Sequence, residues 1–84
     1  MTREILAVRK DGDGDITHLR GERWEDTVAR VMGDIDAGRY RYIVRVGAQL
    51  ADVFVAPATP HWKRHLRTTA DTTTRNNLDA LPPF

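Results

Sequence analysis

The chain has 84 residues and a mass of 9.5 kDa, enough for one small domain that buries about 63% of its unfolded surface and too short for a second core. Hydrophobic residues at 40% with 6 glycines fall in the globular range, so a packed core is expected rather than disorder. The net charge is only +1 and cysteine and serine are both absent, which excludes a disulfide framework, a Cys-type zinc finger, an iron–sulfur site, thiol chemistry and a Ser or Cys triad.

Met1 to Glu4 lead into the apolar run Ile5 to Val8, which lacks the length of a signal peptide or membrane helix. A cytoplasmic protein without membrane contact is therefore expected. Ile5 to Arg9 and Ile16 to Arg20 are rich in β-branched and aliphatic residues and flank Asp11-Gly12-Asp13-Gly14-Asp15. The Asp-Gly pairs suit the positive φ of a turn, so the segment predicts a first β-hairpin. Val28, Val31, Met32 and Ile35 form one helical stripe, with Thr27 or Asp26 as N-cap and Gly38 placed as the residue after the C-cap. These features predict a helix over 28–37. Gly33 inside it costs about 1 kcal/mol relative to Ala, so this helix depends on packing.

Tyr40, Tyr42, Val44 and Val46 alternate with Arg41, Ile43 and Arg45, and Val53 to Ala56 continue the pattern after the Gly47-Ala48-Gln49 turn. A second hairpin is expected there. Pro57 and Pro60 bracket a loop, and Trp62 to Arg67 is the expected last strand. Leu78 and Leu81 precede Pro82-Pro83 at the spacing of a single helical turn. The order β-β-α-β-β-β predicts one small α+β domain over residues 1–84, core 4–82, with one helix on one face of a mainly antiparallel sheet and an ordered C-terminal turn.

Val8-Arg9-Lys10-Asp11, Gly14 to Leu19, Asp34-Ile35, Gly38, Leu66-Arg67-Thr68 and Asn76-Asn77-Leu78-Asp79 with Leu81-Pro82 together resemble a family of small bacterial domains of unknown function. The resemblance runs from about Ile5 to Pro82. It implies a stand-alone small domain and carries no established activity. The chain has Ala70 and Thr72 around Asp71 where the family often has Pro and Gly.

The candidate chemistry is sparse. Asp11, Asp13 and Asp15 resemble the start of a calcium loop, yet Ile16 stands where the sixth-position glycine is needed. The expectation is a hairpin turn with solvated carboxylates. His61 and His65 are four apart without a His-Glu-x-x-His pattern. In an extended segment they would lie about 13 Å apart, too far for one metal, and His18 is expected to be a hydrogen-bonded strand residue. No phosphate-cradling or dinucleotide motif is present, so no cofactor is expected. Asn76 and Asn77 suit turn caps, with a ligand contact beside Arg67 and Asp71 as the alternative.

Charge is distributed unevenly: residues 11–36 carry −5 and residues 37–75 carry +5, and eleven of the thirteen bases are arginines. Tyr42, Val44 and Val46 are expected to face the helix, which sends Arg41 and Arg45 to the open side with Ile43 between them. Arg41, Arg45, Trp62, Arg64 and Arg67 are the candidate partner-binding residues, with Arg39, Lys63, Tyr40 and His65 near them in sequence. The favoured role is a non-catalytic protein-interaction or self-association module. RNA or single-stranded DNA binding through the same arginines is the alternative, and a small hydrolase with a carboxylate site is a third class.

Overall fold

The structure, a computed structural model of the chain, describes residues 1–69 and 77–84. Its elements run β1 Thr2–Glu4, β2 Ala7–Lys10, β3 Ile16–Arg20, β4 Glu25–Thr27, α1 Val28–Asp36, β5 Arg41–Val46, β6 Gln49–Ala56 and β7 His65–Thr68, then a 3-10 turn over Asn77–Ala80. The α+β domain expected from the sequence forms, and its strands divide between two sheets. One sheet has the order β1-β5-β6-β7 and the other β2-β3-β4. All pairings are antiparallel except the parallel pair of β1 and β5.

The chain changes sheets at Ile5 and Leu6. The Ile5 amide donates to the Ile43 carbonyl (2.9 Å) and the Leu6 amide to the Arg20 carbonyl (2.8 Å). The hairpin between β2 and β3 closes through Asp11, whose Oδ1 accepts from the amides of Asp13 (2.9 Å) and Asp15 (3.0 Å). Of the two Asp-Gly glycines, Gly14 takes the positive φ, at 85°.

Thr27 is the N-cap of α1, its hydroxyl accepting from the Arg30 amide at 3.2 Å. Gly38, at φ 69°, follows the C-cap and ends the helix as expected. Val31 is fully buried, and Val28, Met32 and Ile35 pack against the same core. That core joins Ile5, Val8 and Leu19 to Tyr42, Val44, Val53 and Leu66, so one apolar interior serves both sheets and the helix.

Three local expectations are corrected. β1 and β4 are strands that the sequence did not predict, because Thr-Arg-Glu and Glu-Asp-Thr contain no apolar residue and are held by their neighbours' ladders. β6 begins at Gln49, so Gly47 and Ala48 alone make the turn. β7 begins at His65 rather than Trp62. The Thr59 hydroxyl accepts from the Trp62 amide at 3.0 Å, a local bond that competes with ladder pairing. The expectations for Ala70, Asp71, Thr72 and Asn76 lie outside the described residues. Among the described residues, no helix is long and apolar enough to cross a membrane.

Candidate functional site

Strand alternation sends Tyr42 and Val44 of β5 inward, where both are buried, and turns Arg41, Ile43 and Arg45 to the uncovered side of the four-stranded sheet. Register then fills that side. Ile43 pairs with Asp52 and Arg45 with Leu50, while Phe54 pairs with Arg67 and Ala56 with His65. Partners opposite each other share a face, so Arg41, Arg45 and Arg67 come together with Leu50 and Phe54. Leu50 is 53% exposed and Phe54 40%, whereas Ile43 between the arginines is reduced to 9%. Trp62, 70% exposed, stands at the margin, its ring centroid 6.5 Å from that of His65.

The arginines of β5 are already partnered. Arg41 Nε lies 2.5 Å from Asp52 Oδ1, and Arg45 Nε lies 3.8 Å from Glu4 Oε2. The hydrogen bond to Arg41 holds the Asp52 carboxyl below its ordinary range, and the same bond raises Arg41. Arg64 does not join this face: it pairs with Asp36 in the last turn of α1 and so turns to the helix layer. Of the candidate residues, Arg41, Arg45 and Arg67 share the open face, Trp62 borders it and Arg64 is separated from it.

A second constellation, not foreseen from the sequence, lies on the helix side. Arg3 of β1 stacks on the Tyr40 ring at 3.8 Å and lies 5.2 Å from the centroid of Trp24. Its Nη1 donates to the Tyr42 hydroxyl at 3.2 Å and to Asp26 Oδ2 at 3.4 Å. The Tyr42 hydroxyl in turn donates to Asp34 Oδ2 at 3.0 Å, and Arg39 Nη1 stands 3.5 Å from Asp34 Oδ1. Asp34 is only 4% exposed. Burial opposes ionisation of the Tyr42 phenol and holds its pKa above the ordinary 10.0; Arg3 acts in the opposite sense and Asp34 reinforces the rise. An open cleft of about 550 Å³ above this chain is lined by Arg3, Asp26, Arg30, Asp34, Arg39 and Tyr40. One signal was available beforehand: Asp34 follows Val31 by three residues, which places a carboxylate on the apolar side of the helix.

The remaining candidates serve the scaffold. Asp11 is engaged by the turn amides, and Asp15 lies 3.9 Å from Lys63 Nζ. Among the described residues, no three His, Asp or Glu side chains converge to hold a metal. His18 Nδ1 is 2.9 Å from the Thr17 hydroxyl, the hydrogen-bonded strand role expected of it. Asn77 is buried and donates to the Thr68 hydroxyl at 3.1 Å, tying the tail to β7.

A family model described as Protein of unknown function (DUF3892) matches residues 4–82. No curated protein and no solved structure matches the chain.

Proposed function

The chain belongs to this family of proteins of unknown function, and we propose that within it the domain acts by binding, as a self-association module whose contact surface is the open face of the four-stranded sheet. The observation that carries this reading is the pairing of the face's own charges. Arg41 meets Asp52 and Arg45 meets Glu4, while Leu50 and Phe54 remain exposed beside them. A phosphate backbone would have to displace those carboxylates to reach the two guanidinium groups, which weakens the case for nucleic acid. A second copy presents the same alternation of signs and the same apolar pair, so a two-fold arrangement opposes Arg to carboxylate and Phe54 to apolar surface.

Size sets the strength. Four strands span about 14 Å between the outer two and six residues extend about 20 Å, a patch well under the roughly 800 Å² per partner of a stable interface. Weak, reversible association is the expected form. Sedimentation equilibrium and amide spectra recorded up to about 1 mM protein, the concentration range for weak pairing, test it. Concentration-dependent broadening centred on Leu50, Phe54 and Trp62, removed in Phe54→Asp and weakened by salt far less than phosphate binding would be, is the expected result. A monomer at every concentration overturns the reading. Shifts at Arg41, Arg45 and Arg67 on adding single-stranded RNA, fading as salt rises, would assign the same face to nucleic acid instead.

A further inference from the structure

We infer that the cleft between β1, β4, α1 and the residues leading into β5 is a binding site for a small oxyanion, the carboxylate or phosphate group of a low-molecular-weight ligand. Asp26 accepts from Arg3, and Asp34 accepts from Tyr42 and lies against Arg39, so both carboxylates lining the cleft are committed. The arginines are not used up. Arg3 spends only Nη1 on Asp26 and Tyr42, and none of its nitrogens is buried without a partner, so Nε and Nη2 retain solvent access and donor capacity. Among the described residues the Arg39 guanidinium makes one ion-pair contact, at 3.5 Å, and Arg30 makes none. Three guanidinium groups therefore line the cleft with two carboxylates, leaving one positive charge and several N–H donors uncompensated.

The Arg3 group is also held in place before any ligand arrives. Its plane rests on Tyr40, its Nη1 is fixed by the Tyr42–Asp34 chain, and its side chain is only 23% exposed. A guanidinium that is fixed and partly shielded from water loses little entropy on binding and interacts more strongly than a surface arginine. The planar fork of Arg3 suits two oxygens of a carboxylate or phosphate, and Arg30 from the first turn of α1 and Arg39 from beyond its last turn line the same cleft. This site is on the other side of the sheet from the face proposed for self-association and does not depend on it.

The test is a titration of the labelled protein with sodium phosphate and, separately, sodium acetate, against sodium chloride of equal ionic strength, read at the arginine Nε–Hε signals. Saturating shifts at Arg3 and Arg39 with phosphate or acetate, beyond those with chloride, are expected, and the stronger arm identifies the ligand chemistry. Arg30→Gln, on an exposed helix surface, should weaken that response about tenfold while leaving the amide spectrum of the core unchanged. Shifts that chloride reproduces, no saturation with either anion, or an undiminished response in a folded Arg30→Gln protein would each overturn the assignment.

Discussion

At the scale of single residues, Tyr42 has the most to lose. Its ring sits in the core against Trp24, with centroids 5.4 Å apart, and its hydroxyl links Arg3 to the buried Asp34. Tyr42→Phe keeps the ring and leaves a buried carboxylate with only the 3.5 Å contact to Arg39. The expected loss is about 1–3 kcal/mol in urea unfolding, and a change within error would show that the hydroxyl is not the carboxylate's main support. The pH dependence follows from the raised phenol. Because the folded pKa lies above 10.0, its contribution is fully present below pH 10.0 and is lost as pH rises through the folded value. The stability difference between wild type and Tyr42→Phe should therefore be flat from neutral pH up to pH 10.0 and shrink above it. Alternation in the sequence placed Tyr42 inward correctly, but its partners come from residues 8 and 39 positions away. Gly21 makes the same point sterically: a Cβ there would meet the Glu4 carbonyl at 2.6 Å and the Trp24 indole, a close approach that its own sequence neighbourhood does not announce.

At the scale of elements, α1 was the most legible part of the chain, since apolar period, N-cap and terminating glycine all lie within a dozen residues. Gly33 is its weak point. The position is exposed, and an added Cβ would meet nothing within 4 Å. Gly33→Ala should stabilise the domain by about 0.5–1 kcal/mol through the helix alone, and a lower melting temperature in calorimetry would contradict that account. β1 and β4 stand at the opposite extreme. Each is a three-residue polar segment, and its strand identity belongs to β5 and β3, which supply the ladder. The residues around Trp62 fit a strand by pattern, but the Thr59 hydroxyl bond to the Trp62 amide holds this segment in a local turn outside β7.

At the scale of the whole molecule, the tail closes the fold. Leu78 is fully buried against β5 and β7, the Val8 amide donates to Pro82, and the Phe84 ring lies 4.8 Å from Arg9 and 5.1 Å from Arg20. Leu78→Ala should cost about 2–5 kcal/mol, a large share of the few to about a dozen kcal/mol expected for a domain of this size. A large fall in the thermal midpoint by circular dichroism is the expected outcome, and a shift no larger than that of a surface substitution would show the tail to be an appendage. The α+β class, the helix with both caps, the two hairpins and the outward direction of Arg41 and Arg45 are all legible along the chain, because they follow from periods and turn chemistry within a few residues. That the strands form two sheets, that Arg41 and Arg45 are met by Asp52 and Glu4, and that Arg64 turns to the helix emerge once the chain is folded. Folding alone brings Arg3, Asp26, Asp34 and Arg39 to one cleft. Those are contacts between distant parts of the chain, set by register and by packing around a shared core, and no local pattern of residues encodes them.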